Sequence, residues 1–199
     1  RHVSPFCEKI SLFSMLGEKG EYSNQIKKGL PKNVSCKFIK KKRSPTILKR
    51  RFLDHVSNNK VLGVYKINDD ALNKKQDILV GKSLKKILPK YDLVIVSDYG
   101  HGFISNKNAK IICRYSKYLA LNAQINAANV GYHSMRNYKN IDCVIINNRE
   151  IHHEMRDRST ETELLMRSLS TQQNIKNLIV TKGSEGAIIY NKKNKKFNF

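Results

Sequence analysis

The sequence predicts an α/β fold, a mostly parallel central sheet in an α/β/α three-layer arrangement with a small antiparallel sheet inserted near its start. Three observations carry that prediction. Short β-branched apolar runs alternate with helix-period segments along most of the chain, the pattern of successive βαβ units. Several of these runs end abruptly in polar residues and glycines, as strands do where open α/β sheets place their ligands. The stretch around 36–68 breaks the alternation, with apolar and polar residues interleaved and no helix between its runs, which marks an antiparallel sheet with one wet face.

Taken in order, Ile10 to Leu16 reads as a buried strand closed by Gly17-Glu18-Lys19-Gly20. Glu21 to Gly29 follows as a helix, with Tyr22, Ile26 and Leu30 on one face and Gly29 as its stop. Cys36–Ile39, then Thr46–Leu48 with Arg51–Leu53, then Val61–Ile67 give the inserted sheet, a lid over a ligand cleft. A helix beginning at Asp77 or Gly81 stops near Pro89. Leu93 to Val96 is a strand buried on both faces, closed by Ser97-Asp98-Tyr99-Gly100-His101-Gly102. Helix Asn106–Tyr118, a strand from Leu119 ending at Ala123-Gln124-Ile125-Asn126, and the strand Asp142–Ile146 come next. Thr160 and Glu163 predict a capping box for the helix carrying Leu164, Leu165 and Leu169. Leu178–Thr181 is the last parallel strand, and Lys182–Gly186 turns it into a hairpin with Ala187–Tyr190.

The 199 residues, 40% hydrophobic, suffice for one domain with a sizeable core. No apolar run is long enough to span a bilayer and no signal pattern opens the chain, so no membrane partner is expected. Cysteines at 7, 36, 113 and 143 form no CxxC pair, which points to a reducing, cytoplasmic setting and away from zinc or disulfides. The net charge of +22 is spread over the whole length, so no nucleic-acid partner is expected. The clusters Lys40–Arg43 and Lys192–Lys196 read as a solvated loop and a strand edge. Arg1 is no initiator methionine and Lys195–Phe199 ends without a closing element, so the chain reads as the middle of a longer one.

In a parallel sheet the polar clusters at Ser97–Gly100, Asn147–Glu150 and Thr181–Gly186 lie on one side and converge. Thr181-x-Gly183-x-x-Gly186 offers a hydroxyl beside a run of backbone amides, a nest for phosphate oxygens. Asn147 and Glu150 add an amide and a carboxylate, suited to a hydrated Mg2+ that prefers few carboxylates and many phosphate oxygens, or equally to a helix cap. His152-His153-Glu154 lacks the His-Glu-x-x-His spacing of a zinc protease.

Four stretches in order, Ser44 to Phe52, Ser97 to Gly102, Asn147-x-x-Glu150 and Thr181-x-Gly183-x-x-Gly186, resemble those of ribokinase/PfkB-type carbohydrate kinases. The likeness leans toward the kinase domain of bacterial heptose-7-phosphate kinase-like proteins, which are often fused to a nucleotidyltransferase domain. It covers most of the chain, and implies a partial sugar-kinase domain over 1–199 with the lid at about 36–68. It further implies ATP- and Mg2+-dependent phosphorylation of a sugar or sugar phosphate. Asn147, Glu150, Thr181, Gly183 and Gly186 would bind nucleotide phosphates, with Glu150 reaching Mg2+ through water. Asp98, Tyr99, Gly100 and Lys49 would stand on the substrate side, the lid around Thr46–Arg51 closing over sugar. A homodimer through the lid sheet is a further expectation. The family's Gly-Ala-Gly-Asp segment with the catalytic aspartate does not occur in this sequence and would lie beyond Phe199, so residues 1–199 alone are expected not to turn over. His101 stands where related kinases often have lysine, and Ala123–Asn126 replaces a more usual Asp-Pro turn. Two rivals are a non-catalytic nucleotide- or sugar-binding relative and a basic polyanion-binding module.

Overall fold

A computed structural model describes residues 2–124 and 133–198. The chain divides into two compact units, Arg1–Gln76 with His101–Phe103, and Asp77–Gly100 with Ile104–Phe199.

In the first unit, β1 (Ile10–Gly17) and β2 (Val34–Lys41) pair parallel from Ile10↔Val34 to Gly17↔Lys41, with α1 (Ser23–Lys28) between them. The strand expected at Cys36–Ile39 is therefore the second arm of a βαβ unit and not part of the antiparallel ladder. Helix α1 supplies the crossover that a parallel pair requires. Only β3 (Leu48–Leu53) and β4 (Lys60–Lys66) form the antiparallel sheet, with two strands and no other partner among the described residues. Phe52, Leu53, Val61, Leu62, Val64 and Tyr65 are all exposed on it. Thr46 lies outside β3 because its side chain is committed elsewhere. Its hydroxyl accepts from the Gly17 amide at 3.0 Å and donates to Glu21 Oε2 at 2.9 Å, and it is buried.

The Lys40–Arg43 cluster is also not wholly solvated. Lys41 is 4% exposed and its ammonium donates to the Asn68 carbonyl at 2.7 Å. Desolvation lowers its pKa, partly offset by the Asp70 and Asp69 charges.

α2 (Lys74–Ile87) starts earlier than the sequence indicated and carries the chain onward, with Pro89 in the short 3-10 turn after it. The second unit holds one six-stranded sheet. Its strands are β5 (Val94–Asp98), β6 (Leu119–Ala123), β7 (Ile141–Asn147), β8 (Ile175–Thr181), β9 (Ala187–Asn191) and β10 (Lys196–Asn198). They lie in that order across the sheet, β5 to β8 parallel and β8, β9 and β10 antiparallel. The Lys192–Lys196 cluster falls at the β9–β10 turn and the edge strand, as expected.

The connecting helices are α3 (Asn106–Tyr115), α4 (Asn148–Met155) and α5 (Thr162–Gln173). A monotonic strand order with right-handed crossovers puts all of them on one face, and α2 packs on α3, where the Asn108 amide donates to Asp77 Oδ1 at 2.7 Å. Burial agrees. Val96, Leu121, Val144, Ile146, Leu178, Val180 and Ile188 are buried, whereas Ile95 is 51% exposed and Ile145 41%. The β5 run is thus buried on one face among the described residues, a correction to the two-faced burial expected of it. An unbroken apolar run does not say which face is covered.

Two helix boundaries also differ. α3 stops at Tyr115, and Ser116 O–H donates to the Ile112 carbonyl at 2.8 Å beyond it. α5 has no capping box, because its N-cap is Glu161; Thr160 lies one residue too early and its hydroxyl donates to Asp157 Oδ2 at 2.8 Å. The reading of Ala123–Asn126 falls partly on Ile125 and Asn126, which lie outside the described residues.

Candidate functional site

Strands β5, β7 and β8 run parallel, so their carboxyl ends share one rim. Asp98 closes β5, Asn147 closes β7 and Thr181 closes β8. Asn147 and Thr181 are direct register partners, and Asp98 is paired with Ala123 at the end of β6. With neighbouring strands about 4.8 Å apart, Asp98 lies two strands, roughly 10 Å, from Asn147. The sheet therefore brings together the three clusters that the sequence singled out.

Asp98 is the most firmly held of them. It is 9% exposed, and its Oδ2 accepts the Tyr138 hydroxyl at 2.7 Å while Oδ1 accepts the Gly100 amide at 3.0 Å. Gly100 makes that contact from a left-handed turn, φ +67°. His133 lies alongside, with Nε2 3.1 Å from the Asp98 carbonyl and 3.9 Å from Oδ1. Tyr138 is 1% exposed, and burial, then the Asp98 charge and hydrogen bond, push its phenol well above the ordinary range. It remains a neutral donor.

No local pattern in the sequence marks Tyr138 or His133. The one available hint was general, that a buried tyrosine hydroxyl seeks a partner.

Asn147 and Glu150 form a reciprocal capping box on α4. Asn147 Oδ1 accepts from the Glu150 amide at 2.9 Å, and Glu150 Oε2 accepts from the Asn147 amide at 2.8 Å. Glu150 is 6% exposed. The helix-cap role is thus present in the fold, and one carboxylate oxygen is committed to it. No cluster of three His, Cys, Asp or Glu side chains suited to a metal occurs among the described residues. Glu150 fits Mg2+ only as one indirect ligand among phosphate oxygens and waters.

The Thr181–Gly186 loop is less open than a full nest. Lys182 N–H donates to the Gly186 carbonyl at 2.8 Å, Glu185 N–H to Lys182 and Gly186 N–H to Gly183. That leaves the Gly183 and Ser184 amides beside the Thr181 hydroxyl. Gly183 and Gly186 have φ +64° and +88°, and nothing lies within 4 Å of where a Cβ would stand. The glycines therefore answer to backbone conformation and leave open space in front of the loop, which suits a ligand's phosphates.

Tyr99 is half-exposed beside Asp98. Lys49 lies on β3 opposite Tyr65, in the first unit. His101 also belongs to that unit, 8% exposed, with Nδ1 2.7 Å from Asp69 Oδ1.

No protein family matches the sequence, and no curated protein does. Solved structures do match. Ribokinase from Giardia lamblia superposes with a TM-score of 0.65 at 16% identity, over 94% of this chain and 58% of the kinase. Phosphofructokinase-2 from Escherichia coli, in complex with fructose-6-phosphate, gives 0.65 at 13% identity over 96% of this chain and 61% of its own. A carbohydrate kinase from Agrobacterium tumefaciens gives 0.61 at 14%, over 92% and 56%. The fold is ribokinase-like. The chain spans about three-fifths of the length of these carbohydrate kinases, and at such identities the likeness establishes architecture. No described helix is long and apolar enough to cross a membrane.

Proposed function

We propose that this chain is part of an ATP- and Mg2+-dependent sugar kinase, transferring a phosphoryl group to a hydroxyl of a sugar or of a sugar phosphate of the heptose type. The observation that carries the reading is the pairing of Thr181 with Asn147 on the rim that also holds Asp98, in a fold shared with carbohydrate kinases. In this reading the Thr181 hydroxyl and the Gly183 and Ser184 amides bind nucleotide phosphate oxygens, and Gly186 keeps the loop's approach open. Bound Mg2+ would supply charge neutralisation. Glu150 and Asn147 contribute a fixed carboxylate and a rigid helix start beside it. Asp98, held by Tyr138 and Gly100, orients the sugar hydroxyl, with Tyr99 along its edge. Phosphoryl transfer depends chiefly on positioning and electrostatics, which is what a rigid rim provides. The exposed apolar residues of β3 and β4 support a homodimer through the lid sheet. Fusion to a nucleotidyltransferase domain remains part of the proposal.

The mutual capping of Asn147 and Glu150 favours a second reading, a nucleotide- or sugar-binding relative that performs no transfer. Thermal unfolding with and without Mg·ATP tests the shared part. At a hundredfold excess over Kd the nucleotide should stabilise the chain by about 2.7 kcal/mol. Thr181→Val, which removes only the hydroxyl, should weaken that protection. An unchanged melting curve at saturating Mg·ATP rejects both readings, and sugar phosphorylation by the full protein separates them.

A further inference from the structure

We infer that the second unit carries an arginine-lined pocket for a small phosphorylated molecule, beside α4. A cavity of about 680 Å³ there is lined by Arg136, Arg149, Arg156, Arg158, His152 and His153, with Glu154 and Asp157 as its carboxylates. The choice of cation is the first argument. The chain has ten arginines against 28 lysines, yet this cavity takes four of the arginines and no lysine. A generally basic surface would follow the composition. The planar guanidinium fork matches phosphate oxygens two at a time, which the lysine ammonium cannot do.

The second argument is that the carboxylates leave three of these four arginines unpaired. Glu154 is buried, with Oε1 accepting from Ser134 Oγ at 2.8 Å and Oε2 from the Met135 amide at 3.2 Å. Asp157 Oδ1 accepts from the Ser159 and Thr160 amides at 2.9 and 2.8 Å, and Oδ2 from the Thr160 hydroxyl. Arg136 alone is anchored, its Nε 3.7 Å from Glu154 Oε1. The guanidinium groups of Arg149, Arg156 and Arg158 have no hydrogen-bond or ion-pair partner among the described residues. Arg156 also occupies the left-handed position that ends α4, φ +54°, where glycine is usual. The cavity is much larger than a phosphate ion and of the size that takes nucleotides or sugar phosphates.

The pocket adjoins the rim at Asn148 and Arg149, at the start of α4, and at His133 beside Asp98, but Arg156 and Arg158 lie at and beyond the other end of α4, so the inference does not depend on the kinase reading. Calorimetric titration of the chain without Mg2+, using pyrophosphate, AMP and glucose 6-phosphate, tests it. All three should bind, more weakly as salt rises. The double variant Arg156→Gly/Arg158→Ala should lower each affinity on the order of tenfold or more, while Mg·ATP protection mediated by Thr181 persists. Glycine suits the left-handed backbone at 156, so a loss there is not a folding defect. AMP binding tighter than pyrophosphate assigns a nucleotide, and glucose 6-phosphate binding tighter assigns a sugar phosphate. Pyrophosphate binding tighter than both, affinities unchanged in the double variant, or no binding at millimolar concentration overturns the proposal.

Discussion

Tyr138→Phe probes the rim most directly. The substitution deletes a single oxygen, so it opens no carbon-sized cavity, and the ring keeps its packing. What it removes is a 2.7 Å hydrogen bond to the Asp98 carboxylate from a side chain that is 1% exposed. A hydrogen bond to a charged group contributes about 1.5–3 kcal/mol, toward the upper part of that range when the charge is buried. Taking about 2 kcal/mol for a chain of this length, Tm should fall by about 4–8 °C. Urea unfolding should show a lower midpoint at unchanged m. A double-mutant cycle with Asp98→Asn isolates the pair and should return a coupling of about 1 kcal/mol or more. A Tm shift under about 1 °C with no measurable coupling would show that the Gly100 amide and His133 hold Asp98 without Tyr138, and the account of a preset rim would be wrong.

Gly102→Ala should be strongly destabilising, by roughly 2 kcal/mol or more, because φ is +77° and the new methyl would overlap the Asp70 carbonyl; a Tm within about 1 °C of the parent contradicts this. Lys41→Met keeps the stem but leaves the Asn68 carbonyl without its 2.7 Å donor and Asp69 and Asp70 without their cation. A loss of about 1–3 kcal/mol in urea unfolding is expected, and a gain would mean that desolvation of the ammonium outweighs its bonds. Asn147→Ala removes the α4 cap and should cost about 1 kcal/mol, while Asn147→Asp, which still accepts from the Glu150 amide, should retain most of it. Glu21, Asp54 and Asp157 all have pKa values lowered in the folded chain, chiefly by backbone amide hydrogen bonds. The unfolded chain therefore takes up protons first on acidification, and the stability these groups contribute is present above the ordinary carboxylate range and lost as pH falls through their folded values. Urea midpoints that stay constant from neutral pH down to about pH 3 would contradict that sign.

The succession of strands and helices was partly legible because periodicity and turn residues are local signals. Ile10–Leu16, Leu93–Val96, Asp142–Ile146 and Leu178–Thr181 are apolar-rich segments ended by polar or glycine residues, and each forms or overlaps a strand. The parallel arrangement followed from the intervening helices, and with it the shared rim of Asp98, Asn147 and Thr181. The assignment of Cys36–Ile39 failed because pairing partners are not written locally: its residues alternate like those of β4, and only the crossover through α1 decides that it lies beside β1. The capping box expected at Thr160 failed because the helix starts later than its sequence pattern suggests: Glu161 is the residue before its first turn, and Thr160 belongs to the preceding turn, where its amide and hydroxyl donate to Asp157.

What the chain's residue pattern settled by itself is the alternation of strands and helices, the glycine loops, and the side of the sheet on which its polar ends gather, since these depend on backbone sterics and on period. The tertiary structure alone decided that Tyr138 secures Asp98 across forty residues, that Asn147 pairs with Thr181, and that α3, α4 and α5 share one face of the sheet. It alone gathered Arg136 with Arg149, Arg156 and Arg158 around a single cavity. Such contacts join residues far apart in the chain, and the energy that selects them comes from burial and from satisfying buried polar groups, terms that exist only once the chain has closed on itself.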